Sequence, residues 1–181
     1  TTGLVEPTWD PDIEAVVYTL AISGTDIFVG GAFTKVKGGT VTRNNIAKFS
    51  TAGTGVVDAS WNPNLNAQVI EIAISGTDLF AGGTFTTVNG GTPRNRLAKF
   101  YTSGTGTVNP DWDPNIGGTV YALAISGSDI YVGGAFNTVN SPVVTRKFAA
   151  RFPTTGTGVV DGTWNPDLNN IVNALCINGS D

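Results

Sequence analysis

Apolar and polar positions run along this chain in short bursts, not in the 3.6-residue rhythm of an amphipathic helix. Residues 16–23 (VVYTLAIS) form an apolar run rich in β-formers, apolar on both faces. The SGTD tetrad at 23–26 carries a turn signal, and DIFVGGAF at 26–33 is a second apolar run, so the two predict a β-hairpin. NNIAKFS (44–50) predicts a third strand, TAGTG (51–55) a turn, and VVDASW (56–61) a fourth strand that stops at Asn62-Pro63. The same four elements return as VIEIAIS, DLFAGGTF, NRLAKFY and TVNPDW. No stretch of about ten residues combines a helical apolar period with good helix formers, so helix is expected to be nearly absent.

The recurrence has a fixed period. Trp9, Trp61, Trp112 and Trp164 open near-identical phrases at intervals of 52, 51 and 52 residues, and the one-residue deficit lies between Gly83 and Arg94. This divides the chain into an outer strand and crossover (1–15), three units (16–62, 63–113, 114–165) and the start of a fourth (166–181). Four short antiparallel strands per period of about 50 residues match a β-propeller blade. Strands apolar on both faces suit a sheet sandwiched between two neighbours. A β-helix is the alternative, but its coils are shorter and need no four-strand rhythm. The expected fold class is all-β, with propeller-type repeats in three complete blades and orphan strands at both ends. The longest connections, TKVKGGTVTR, TTVNGGTPR and NTVNSPVVTR, are about ten residues and are expected to carry the binding face.

VYALAISGSDIYVGGAFNTVN (120–140), followed by an Arg, an IAKF-type strand and a Trp-Asx-Pro phrase, resembles the delta-60 type β-propeller repeat, which is similar to kelch in having a Gly-Gly pair in each blade. The resemblance extends over essentially the whole chain. It implies a secreted or cell-surface protein of bacteria and no particular reaction. Three blades and two orphan strands do not close a ring by themselves, since closed propellers have about four to eight blades. The chain is therefore expected to be a piece of a larger propeller protein. The alternative is self-association through open strand edges, with chains completing one another's blades.

Composition narrows the function classes. Charged residues are only 13 % of the 181, against about 25 % in typical domains. The net charge of −4 lacks the basic field that nucleic-acid binding needs. No polybasic or long apolar segment points to membrane insertion. There is no His, which removes the commonest general base and the usual zinc ligand. The single Cys176 stands where earlier copies have Ala21, Ala73 and Ala124, and reads as a small buried apolar residue.

Two side-chain series are candidate ligand-binding groups. Trp9, Trp61, Trp112 and Trp164 are suited to stacking on sugars, or else pack blade against blade. Arg43, Arg94 and Arg146 recur once per unit and suit bidentate binding of anions or carboxylated sugars, or else tie each blade internally. The Asx pairs Asp10/Asp12, Asn62/Asn64, Asp113/Asn115 and Asn165/Asp167 offer oxygen ligands for calcium, although Asn replaces Asp freely and Asx residues also cap turns. No cofactor is expected beyond that calcium reading. The double glycines Gly30-Gly31, Gly82-Gly83 and Gly133-Gly134 read as bulges or close backbone approaches, not as a phosphate cradle. The expected function is a non-enzymatic scaffold, adhesion or protein-interaction module, with other proteins or surface glycans as partners. A lectin with one site per blade and a self-assembling structural protein are the alternatives.

Overall fold

In the computed structural model, residues 7–178 are described, and among them there is no helix. Blade 1 contains β1 (Val17–Ser23), β2 (Asp26–Gly31), β3 (Lys35–Val36), β4 (Val41–Thr42) and β5 (Ile46–Ser50). Blade 2 contains β6 (Val69–Ser75), β7 (Asp78–Gly83), β8 (Thr87–Val88), β9 (Thr92–Pro93) and β10 (Leu97–Tyr101). Blade 3 contains β11 (Thr119–Ser126), β12 (Asp129–Ala135), β13 (Thr138–Val139), β14 (Val144–Thr145) and β15 (Ala149–Pro153). Each blade is an antiparallel sheet in the order β1-β2-β5, β6-β7-β10 or β11-β12-β15. This is the all-β propeller-type architecture that the repeat predicts.

Two details differ from the sequence reading. The fourth strand is shortened to a single bridge, Phe49 to Val57 and Phe100 to Val108. Flanking hydrogen bonds still hold it: Ser50 N–H donates to Val56 O at 2.9 Å, and Asp58 N–H to Lys48 O at 2.8 Å. The Asx turn that follows (below) pulls the chain off the ladder, which is why pairing ends so early. The long loops, in turn, are not irregular. Each folds into a two-residue ladder, β3–β4, β8–β9 or β13–β14.

Turn chemistry and close approach fix the register. Ser23 faces Asp26 across a two-residue turn in which Gly24 has φ +59°, a conformation that favours glycine. At the far end of the hairpin the register slips between Val17 and Thr19, opposite the double glycine. A Cβ on Gly82 would run into the Val120 side chain of blade 3, and one on Gly83 into the Gln68 carbonyl. The first glycine lets the next blade's inner strand approach; the second accommodates the bulge.

The core is laid down seam by seam. Between blades 1 and 2, Phe28 and Ile46 pack with Trp61, Leu65, Val69, Ile72 and Leu79. Between blades 2 and 3, Phe80 and Leu97 pack with Trp112, Ile116, Val120 and Ile130. Inner strands lie side by side, β1 next to β6 and β6 next to β11. The expected orphan strand before Trp9 lies outside the described residues, as does the end of the chain after Asn178. Residues 171–178, expected as the first strand of a fourth blade, carry no ladder. They lie against blade 3: Val172 N–H donates to Gly134 O at 3.3 Å, and Val172 and Leu175 cover Gly133.

Candidate functional site

The Trp-Asx-Pro-Asx phrase is the linker that runs from one blade to the next, and it is bound on both sides. Trp61 is fully buried. Its indole N–H donates to Tyr101 O at 2.9 Å in blade 2, and its ring meets Phe28 of blade 1 edge-on at 5.1 Å. Trp112 repeats this with Pro153 O at 2.9 Å and Phe80 at 5.1 Å. Trp9 donates to Ser50 O at 2.9 Å, and Trp164 meets Tyr131 at 5.2 Å. Trp9 and Trp164 are half-buried. Sugar stacking on Trp61 and Trp112 is therefore corrected to seam packing: neither ring presents a face to solvent.

The arginines point inward as well. Arg43, Arg94 and Arg146 are 6–7 % exposed. Arg94 Nη1 donates to Pro93 O at 2.8 Å, and Nη2 to Asn109 O at 2.9 Å and Pro110 O at 2.8 Å. Arg43 makes the same bonds to Thr42, Asp58 and Ala59, and Arg146 to Thr145 and Asp161. The fork clamps the shortened outer segment to the β3–β4-type hairpin, and in each of the three arginines Nε is buried without a hydrogen-bond partner. Burial lowers the Arg43 pKa against the smaller opposing pull of Asp58, yet a guanidinium stays charged. Its bonds are therefore charge-assisted.

The Asx residues are turn formers. Asp12, Asn64, Asn115 and Asp167 all take φ between 44° and 50°, the left-handed conformation that Asn and Asp tolerate best among non-glycine residues. Asp10 Oδ1 accepts from Asp12 N–H at 3.0 Å, and Asp113 Oδ1 from Asn115 N–H at 3.2 Å. The second Asx of the three later linkers then reaches back to the blade before it. Asn44 donates to Asn64 Oδ1 at 2.6 Å, Asn95 to Asn115 Oδ1 at 2.7 Å, and Lys147 pairs with Asp167 Oδ1 at 3.2 Å. Among the described residues no group of three or more acidic, Cys or His side chains converges as a metal site.

A constellation that the sequence reading passed over joins strand 2, strand 3 and the outer segment. Lys48 Nζ lies 3.0 Å from Asp26 and 3.2 Å from Asp58. Lys99 lies 3.0 Å from Asp78, and Arg151 lies 2.7 Å from Asp161 and 3.8 Å from Asp129. The signal was present in the recurring Asp that opens strand 2 and the Lys or Arg inside strand 3. Burial would lower the Lys48 ammonium, but hydrogen bonds and charge from Asp26 and Asp58 outweigh it and raise its pKa. Burial would raise Asp58, but the Trp61 and Ser60 N–H groups and then Lys48 hold it below the usual carboxylate range. A lysine kept charged is no nucleophile, and a carboxylate kept ionised is no general acid. Asp58, Asn109 and Asp161 each also cap the turn into the Trp, accepting from its N–H at 3.1, 3.0 and 2.8 Å.

Cys176 departs from expectation. It is exposed. An open cleft of about 680 Å³ lies on blade 2, lined by Ser60, Asn62, Asn64, Thr92, Arg94 and Thr107. In blade 1 the same region is spanned by Lys37, whose Nζ donates to Asp10 O at 2.9 Å and Thr54 O at 3.3 Å.

No curated protein matches the chain. Residues 26–60 and 79–106 match the family described as "Domain of unknown function (DUF5122) beta-propeller". The matched stretches begin at β2 and at β7 and run through the Arg clamp and the third strand to the outer segment. The chain is thus similar to a β-propeller family over parts of blades 1 and 2, and its fold is a propeller-type repeat array.

Proposed function

We propose that this chain is a non-enzymatic scaffold and interaction module, of the secreted or cell-surface bacterial kind that its repeats resemble. One observation carries the reading: the Trp, Arg and Lys/Asp series are all spent on holding blade to linker and hairpin to outer segment, at equivalent places in successive copies. Beside exposed charges such as Lys35 and Asp12, the blade 2 cleft presents hydroxyl- and amide-bearing side chains, a surface suited to recognition. No cofactor or calcium ion is proposed. Pull-down of the chain from bacterial envelope fractions, with a glycan array alongside, tests this. Saturable binding to one protein or glycan class is expected, and turnover in a broad hydrolase screen overturns it.

The blade 2 cleft favours a second reading, a lectin-like site. Its Ser, Asn and Thr lining matches the hydroxyls of a saccharide. A saccharide that binds the chain and loses affinity on Ser60→Trp, which fills the cleft, is the expected result. Binding indifferent to that change removes the cleft as the site.

A further inference from the structure

The two interior seams state what each blade face accepts. A linker Trp lies edge-on to an aromatic ring of the preceding blade, and a Val and an Ile or Leu of the next inner strand cover its in-strand glycine: Trp61, Val69 and Ile72 on blade 1, Trp112, Val120 and Leu123 on blade 2. On blade 3 the seat is taken by Trp164, Val172 and Leu175 of the chain's own tail. Three periods earlier stand Trp9, Val17 and Leu20. Val17 and Leu20 are 39 % and 58 % exposed, while Val69 and Ile72 are 0 % and 5 % exposed.

We propose that a second copy of this chain docks its blade 1 face, through Trp9, Val17 and Leu20, onto the blade 3 face around Tyr131 and Gly133, in the seat that residues 164–177 occupy here. This partner goes beyond the ligand readings above and rests on neither. Two independent features select it. The tail fills the seat incompletely, leaving an apolar cavity of about 320 Å³ lined by Ala124, Tyr131, Trp164, Leu175 and Cys176. In the blade 1–2 seam, Leu79 and Phe100 of the following blade belong to the same packed cluster as the linker Trp. A second copy brings their counterparts, Ile27 and Phe49, already packed with Trp9. Charge also matches. Interior linkers are read by Asn44 on Asn64 and Asn95 on Asn115, whereas blade 3 alone places Lys147 there, and it holds Asp167. The counterpart of Asp167 in blade 1 is Asp12, which is exposed and has the same left-handed backbone. Blade 3 of one copy is therefore charged to receive the start of another. The contact is head-to-tail, so it closes only as a ring. The described residues of two copies hold six blades, within the usual range for a closed propeller.

The test is the solution mass of the full chain and its variants across a concentration series. Val172→Asp with Leu175→Asp unseats the tail, and a discrete species of twice the 18.7 kDa monomer is expected. Adding Val17→Asp and Leu20→Asp, at exposed positions, returns it to monomer. A monomer at every concentration with native β-sheet circular dichroism overturns the proposal, as does association indifferent to the blade 1 changes. Should the tail variant lose its β-sheet signal, two single changes on the native chain decide. Asp12→Asn is expected to weaken dimerisation several-fold and Asp167→Asn to strengthen it, and equal effects of the two overturn the proposal.

Discussion

The seam between blades 1 and 2 and the open face of blade 1 are made of the same residues in different company. Val69 and Ile72 on β6 are buried against Gly30; Val17 and Leu20, at the same register of β1, face solvent. Trp61 is sealed between two aromatic-bearing sheets, while Trp9 has only its own blade. The sequence phrase is constant, so the difference in energy comes from the neighbour and not from the residue. A repeat array gains its stability at the interfaces, with each unit contributing little alone.

The largest test of that contrast is at the tryptophans. Trp61→Ala or Trp112→Ala should cost about 3–5 kcal/mol, the usual range for emptying a large buried aromatic site, whereas Trp9→Ala should cost less than half as much. Denaturant midpoints with unchanged slopes measure both. Equal losses at Trp9 and Trp61 would break the comparison.

Next come the inner strands. Ile72→Ala is expected to cost about 2–4 kcal/mol through the cavity left above Gly30, and Leu20→Ala to stay within about 0.5 kcal/mol, as surface changes do. A large cost at Leu20 in dilute monomer would mean that its face is already covered. The arginine clamp is smaller again. Arg94→Met removes the donors from three carbonyls while keeping most of the packing, and should cost about 1.5–3 kcal/mol by the same denaturant measurement.

Much of this was legible beforehand because a repeat prints its pattern several times. The hairpin, the period and the structural use of Gly82-Gly83 follow from apolar runs, turn residues and spacing. The short outer strand was not legible, because VVDASW has strand-like composition and only the capping of Trp61 by Asp58 shows where pairing stops. Arg43 and Trp61 could be read either inward or outward, since side-chain direction depends on a neighbouring blade that local sequence does not encode. Cys176 belongs with them: it is exposed where its counterparts Ala21, Ala73 and Ala124 are half-buried, a difference of surroundings that the local sequence does not carry. The blade 2 cleft carries no motif in the sequence, because its lining is drawn from Ser, Asn, Thr and Arg positions far apart along the chain.

The smallest expected effect separates charge from capping, by comparing blade 1 with blade 2. In blade 1 the cation has two carboxylates, Asp26 and Asp58; in blade 2 it has Asp78, and Asn109 caps the turn without charge. Asp58→Asn therefore turns one arrangement into the other and keeps the cap. Asp58 has a folded-state pKa below its unfolded value, so its contribution is present above the ordinary Asp pKa of about 3.9 and is lost as pH falls from there toward the folded value. The variant should melt slightly below the parent at pH 7, and the gap should close by about pH 3, where the parent has begun to lose the same interaction. Asn109→Asp should do the reverse in blade 2, raising the melting temperature at pH 7 and leaving it unchanged in acid. A gap for Asp58→Asn that persists undiminished at low pH would show that the cap, and not the charge on Lys48, is what the carboxylate supplies.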